Sequence, residues 1–224
     1  MGFGFDRDHE YDVCLPIEDT IMKLRFSPTS PYVRKVMVSA IELELNGQIE
    51  RLITDPWNPD SDLPTHNPLG KVPALILDDG RVLYDSPVIC EYLDQLGGEP
   101  RLFPSGGDAR WRALRLQALA DGMLDASVSR LLEGRREDAE RSESWLSRQR
   151  VATGRVLDYL ETQVVTWGDG NTIGQISVAC ALGYLDFRFD TDHWLQGRDR
   201  LAAWYADFAQ RNSMQQTVPV APSA

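Results

Sequence analysis

Strand-like patterns stop at one place in this chain. Before Gly97, short apolar runs alternate with stretches of helical spacing; after Gly107 only helical spacing survives. The break between them carries Gly98, Pro100, Pro104 and Gly106 and reads as a linker. A sequence divided in this way predicts an α/β half followed by an all-α half. With 224 residues there is enough chain to bury a core in each.

In the first half, Ile21 to Phe26 reads as a strand that Pro28-Thr29-Ser30-Pro31 breaks. Val33, Val36, Met37, Ala40 and Ile41 then recur at the i, i+3, i+4 spacing of a helix with one buried face. Pro31 suits its first turn, where a missing N–H costs nothing, and Asn46-Gly47 is expected to end it. A second strand follows near Ile49 to Ile53, then a polar, proline-bearing stretch from Asp55 to Leu69. Val72 to Leu77 and Arg81 to Tyr84 flank Asp78-Asp79-Gly80, a hairpin signal. Asp85-Ser86-Pro87 opens a helix, with Ser86 as its expected N-cap and Val88, Ile89, Tyr92, Leu93 and Leu96 on one face. The order β-α-β, β-β-α predicts a mixed four-stranded sheet covered by helices.

The second half has helical spacing over residues 109–132, 144–164, 172–187 and 198–208. Thr172-Ile173-Gly174-Gln175 fits a capping box. The apolar helix beyond it, through Val178, Ala179, Leu182 and Leu185, is expected at the centre of a bundle. Trp111, Trp145, Trp167, Trp194 and Trp204 are expected in the bundle core, and Asp121 and Asp125, one turn apart, as a solvated pair. The domain organisation is therefore an acidic, flexible extension at 1–20, an α/β domain at 21–98, a helical domain at 108–216 and a tail at 217–224.

Composition narrows the function. A formal net charge of −11 argues against a nucleic-acid partner, which needs clustered cations, though not against a small anionic ligand. The longest apolar run, Ile176 to Leu185, is about half of the ~20 residues of a membrane span. Met1 to Thr20 carries Asp6, Asp8, Glu10, Asp12, Glu18 and Asp19 and no apolar core of a secretory signal. Cys14, Cys90 and Cys180 form neither a disulfide framework nor a CxxC motif, so a reducing cytoplasm is the expected location. His9, His66 and His193 are scattered, so no metal is expected, and no P-loop, GxGxxG or GxSxG occurs.

Three pieces taken together resemble the N-terminal domain of glutathione S-transferases of bacterial type. They are Ser27-Pro28-Thr29-Ser30-Pro31-Tyr32-Val33-Arg34-Lys35-Val36, Asn67-Pro68-Leu69-Gly70-Lys71-Val72-Pro73-Ala74-Leu75, and Asp85-Ser86 followed by a helix. The second half, with Thr172 to Phe187, is similar to that family's helical domain, although Gln175 stands where the family often has Asp. The resemblance implies a thioredoxin-like first domain and a cis bond before Pro73. It also implies that the Val72 backbone pairs with the cysteinyl unit of glutathione. Asp85 and Ser86 would then receive its γ-glutamyl end, and Lys71 its other carboxylate.

The resemblance further implies an enzyme without metal, usually a homodimer, that promotes attack of the glutathione thiolate on a small hydrophobic electrophile. Ser30 stands where related sequences with a serine or cysteine motif carry the active group; Thr29 and Ser27 are alternatives, and Ser30 taken alone is an N-cap before Pro31. With no cysteine in this segment, mixed-disulfide chemistry is not expected. A non-catalytic glutathione-binding or regulatory protein, and a glutathione-dependent isomerase or dehalogenase, are the alternative readings.

Overall fold

The computed structural model describes residues 21–98, 101–168 and 170–221; the acidic extension at 1–20 lies outside them. β1 (Met22–Phe26) runs parallel to β2 (Ile49–Ile53) and antiparallel to β3 (Ala74–Ile76), which pairs antiparallel with β4 (Val82–Leu83). The order across the sheet is β2-β1-β3-β4. Two-residue alternation along β1 sends Met22 and Leu24 into the core under α1 (Pro31–Glu42) and α3 (Ser86–Leu96). Arg25, on the other face, is held by Asp62 at 2.6 Å and by His66 Nδ1 at 3.0 Å, and this pins the short helix α2 (Leu63–His66).

The chain crosses to the helical half through a buried carboxylate. Asp94, near the end of α3, accepts the backbone N–H groups of Arg101, Leu102 and Phe103 at 2.8–2.9 Å, and Leu102 C=O accepts the Ile173 N–H at 2.9 Å. There α4 (Gly107–Gly134), α5 (Glu143–Gln163), α6 (Ile173–Phe189) and α7 (Asp199–Phe208) pack together, and α8 (Asn212–Gln215) returns to α1. From Ile173 to Leu185 every residue of α6 is buried, so this stretch, mostly apolar, has no solvent face. Its Ile176, Ala179 and Cys180 join the core of the α/β half, while Val178, Ala181, Leu182 and Leu185 join that of the bundle. Gln175 Oε1 accepts both the N–H and the hydroxyl of Thr172 at 2.8 Å, so the expected capping pair opens this helix.

Four local readings need correction. α1 ends at Glu42, not at Asn46-Gly47: Glu44 N–H reaches Ile41 C=O and Leu45 N–H reaches Ala40 C=O, a Schellman closure whose left-handed position is filled by Glu44 at φ +63°. The buried Leu45 and Ala40 supply the apolar contact that makes this ending preferable. Second, α1 is buried on more than one face: Arg34 and Lys35 are held by Met214 and Asp121 of the helical half, and Val38 and Ser39 are buried too. Third, Trp111 and Trp145 stand 66% and 44% exposed, whereas Trp194 is buried and Trp167 meets Trp204 edge-to-face at 4.8 Å. Fourth, Asp121 is not solvated, being held by Lys35 of α1, whereas Asp125 is exposed as expected and also takes a hydrogen bond from Tyr32. Among the described residues, no helix is long and apolar enough to cross a membrane.

Candidate active site

Strand register gathers the three segments that the resemblance singled out. Arg25 pairs with Ala74, and Leu75 with Leu83. The C-terminal ends of β1 and β4 therefore flank the N-terminal end of β3, and Ser27–Ser30, Val72-Pro73 and Asp85-Ser86 share one end of the sheet.

Each segment is positioned by local chemistry. Ser30 caps α1, its Oγ accepting the Val33 N–H at 3.3 Å, with Pro31 fixing the first helical φ. The oxygen is engaged by the cap, but the hydroxyl proton is left to donate. Thr29 Oγ1 lies 3.5 Å from Ser27 Oγ. The Asn67–Gly70 turn presents Lys71 and Val72. Buried Asn67 donates to Lys71 C=O at 2.8 Å and accepts Leu69 N–H at 3.0 Å, and Gly70 supplies the φ of +61° that the turn needs. Lys71 is exposed, and the Val72–Pro73 peptide is cis, as the resemblance implies.

The start of α3 differs from expectation. Asp85, not Ser86, holds the N-cap position, and no side chain closes the cap. Ser86 becomes the first helical residue, 1% exposed, and its Oγ is buried with no hydrogen-bond partner. A serine aimed at the first turn of its own helix from position N1 cannot reach the N–H that an N-cap serine reaches, which leaves this hydroxyl available. Asp85 is exposed; the pKa of Asp121 on α4 is raised chiefly by burial, with a further contribution from the Asp85 charge.

Tyr32, in the first turn of α1, is a hydroxyl that sequence reasoning did not weigh. It donates to Asp125, and burial together with that carboxylate pushes its pKa up. Its proton is thus committed to Asp125, unlike that of Ser30. The described cysteines are remote from nucleophilic chemistry: burial pushes Cys90 up to about 11 and Cys180 up to about 12. Among the described residues no group of three or more His, Cys, Asp or Glu side chains is placed to hold a metal ion.

Beside Ser30 lies a cavity of about 260 Å³. Phe26, Ser27, Pro28, Val33 and Met37 line it from the first half and Thr217, Val218 and Val220 from the C-terminal segment, with Arg34 and Arg51 adding two cations. The structure brings Ser27 and Ser30 to this cavity; Thr29, Lys71, Val72, Pro73, Asp85 and Ser86 are not part of its wall. The segment from Thr217, expected as a tail, covers one side of it. No local signal in the sequence announces this, because Ser30 and Val218 meet only through the docking of α8 on α1.

Comparison with known proteins agrees with the architecture. Residues 29–96 match the family described as glutathione S-transferase, N-terminal domain, and residues 143–207 match glutathione S-transferase, C-terminal domain. The chain is 36% identical over 201 residues to an uncharacterized GST-like protein, YibF, of Escherichia coli K12, covering 88% of this chain and 98% of that one. A glutathione transferase family member from Pseudomonas fluorescens Pf-5, solved with bound glutathione, superimposes with a TM-score of 0.84 at 46% identity, over 89% of this chain and 100% of that one. A structure of a family member from the same strain, with bound S-(propanoic acid)-glutathione, gives 0.80 at 46% identity over the same shares. A thioredoxin-like four-stranded sheet joined to an all-α bundle is the glutathione S-transferase fold. This chain belongs to the glutathione S-transferase family.

Proposed function

We propose that the protein is a cytoplasmic, homodimeric glutathione transferase that promotes thiolate attack on a small hydrophobic electrophile. One observation carries the reading: the Ser30 hydroxyl, capping α1 with its oxygen and keeping its proton, stands at the sheet end shared with Val72 and Asp85-Ser86 and on the wall of a largely apolar cavity. The bound tripeptides in the relatives from Pseudomonas fluorescens support glutathione as the ligand.

Glutathione, when bound, supplies a thiol that reacts as its thiolate, forming a sulfur–carbon bond as a leaving group departs or an activated double bond is saturated. The residues do the rest. The outward Val72 backbone pairs with the cysteinyl unit in the manner of an added strand. The unpartnered Ser86 Oγ and the N–H groups opening α3 receive the γ-glutamyl carboxylate, Asp85 its ammonium, and Lys71 the glycyl carboxylate. Ser30, with Thr29 as the neighbouring alternative, donates to the sulfur. A hydrogen bond to a charged acceptor, worth ~1.5–3 kcal/mol, lowers a thiol pKa by about 1–2 units and raises the thiolate fraction at neutral pH. Val88 on α3 and Trp111 on α4, both exposed on helices joined by the Glu91–Arg110 ion pair, offer apolar surface for a second copy.

The test combines binding and turnover. Millimolar glutathione should raise the Tm, since it binds only the folded state, and conjugation of an activated aryl halide should depend on glutathione. A Tm shift without turnover of any acceptor would leave a binding protein of this fold. No shift and no turnover would remove glutathione from its function.

A further inference from the structure

The cavity beside Ser30 combines apolar walls with the neutral polar groups of Ser27, Ser30, Gln216 and Thr217 and with two cations. Phe26, Val33, Met37, Val218 and Val220 form the walls, and the Arg34 and Arg51 side chains both line it. Nine of the nineteen arginines among the described residues sit against carboxylates, and Arg34 and Arg51 are among the ten that are in no ion pair. Arg34, 8% exposed, spends its donors on neutral oxygens, Met214 C=O at 3.2 Å and Thr217 Oγ1 at 3.4 Å. Asp186 feels Arg34 only at a distance and is bonded to Trp194 and Tyr205. A Cβ on Gly183 would stand 2.2 Å from Arg34 Nη1, so α6 leaves out a side chain where the guanidinium lies. Arg51 is exposed on β2 and stacks over the Phe26 ring at 5.4 Å.

Resting on the glutathione-transferase reading, we infer that this cavity selects acceptors that carry a carboxylate, with Arg51 as the residue that recognises it. The exposed Arg51 guanidinium on the wall of a half-enclosed cavity, with the buried Arg34 guanidinium behind it against α6, favours an anion over a neutral group of the same shape, and arginine forms paired hydrogen bonds with carboxylates. The position separates this anion from glutathione's own. Arg51 lies on β2, on the far side of β1 from Val72 and Asp85, whereas Lys71 flanks the strand that receives the tripeptide. An apolar stem between thiol and carboxylate matches the walls between Ser30 and Arg51.

The test uses a matched pair of thioethers, S-(3-carboxypropyl)glutathione and S-butylglutathione, with glutathione itself, each titrated calorimetrically into the full chain. The acid should bind roughly tenfold more tightly than the butyl compound, the scale of one partly exposed charge-assisted contact. Arg51→Gln should abolish that preference while leaving affinity for glutathione and S-butylglutathione unchanged, and Arg51→Lys should restore part of it. Equal binding of the two thioethers to the native protein overturns the inference. So does an Arg51→Gln loss that falls on all three ligands alike, which would mean that Arg51 holds the tripeptide or the fold. If the native protein binds none of the three, the glutathione reading fails and this inference falls with it; binding of glutathione without discrimination fails the inference alone.

Discussion

Lys35 Nζ, in the middle of α1 and fully buried, lies 2.6 and 2.7 Å from the two carboxylate oxygens of Asp121 on α4, 86 residues further along the chain. With the Tyr32–Asp125 bond one turn away, it ties the helix that carries Ser30 to the helical half. A buried ion pair gains little over an apolar pair of the same volume, but removal of one partner strands the other. Asp121→Ala should therefore destabilise the protein by about 3 kcal/mol in urea unfolding, while the double variant Lys35→Met/Asp121→Ala recovers much of that loss. A double variant no more stable than Asp121→Ala would show that the charge of Lys35 is compensated by other groups.

Glu42 joins the end of α1 to the C-terminal segment that walls the cavity. Its carboxylate accepts from Arg211, Ser213 and Asn171. Burial alone would raise its pKa, but these donors hold the carboxyl below its ordinary value. A group whose folded pKa is depressed contributes stability that is complete above its unfolded value, near 4.5, and is lost as pH falls through the folded value. The Tm difference between native protein and Glu42→Gln should be full at pH 7 and shrink below about pH 4.5. A difference independent of pH would assign Glu42 a role in packing only.

How much of this could be read from the sequence depends on the range of the interaction. The Asp79-Gly80 hairpin, Pro31 after Ser30 and the Thr172–Gln175 pair are chemistry within a few residues, and each appears where its residues stand. The family motifs likewise lie at one sheet end, which Val72 and Asp85 share with the start of α1. What stayed hidden involves charged side chains buried by distant partners: Arg25 by Asp62 and His66, Lys35 by Asp121, and Asp94 by the three N–H groups after the linker. Periodicity counts apolar residues, so it saw one buried face of α1 and missed the face marked by Arg34 and Lys35. Trp111 and Trp145 failed for the converse reason, since an apolar side chain can stay outside at little cost.

Glu44 offers a clean stability test at the end of α1. It is exposed and occupies a left-handed conformation at φ +63°, where a β-carbon costs roughly 1 kcal/mol and glycine has no such penalty. Glu44→Gly should raise stability by about 0.5–1 kcal/mol despite the greater freedom of glycine in the unfolded chain. Guanidinium unfolding with unchanged slope would measure it. A destabilised variant would show that the Glu44 side chain contributes more than its backbone strain removes.

Ser30 has two roles to separate, because its oxygen caps α1 and its proton is proposed to hold the thiolate. Ser30→Ala removes both, and should cost about 1 kcal/mol of stability together with a roughly tenfold to hundredfold loss of kcat, with little change in glutathione affinity. Ser30→Asp keeps a cap acceptor but offers no proton at neutral pH, so it should recover stability and remain inactive. The thiolate absorbance of the glutathione complex should titrate at higher pH in Ser30→Ala than in the native protein, a shift that a purely structural role does not produce. Thr29→Ala and Ser27→Ala serve as controls. Should Thr29→Ala instead lose activity while Ser30→Ala keeps it, the donor is the neighbouring hydroxyl and the mechanism stands one residue earlier. If all three variants stay fully active, the sulfur must be held by the N–H groups at the start of α1, and no hydroxyl is needed.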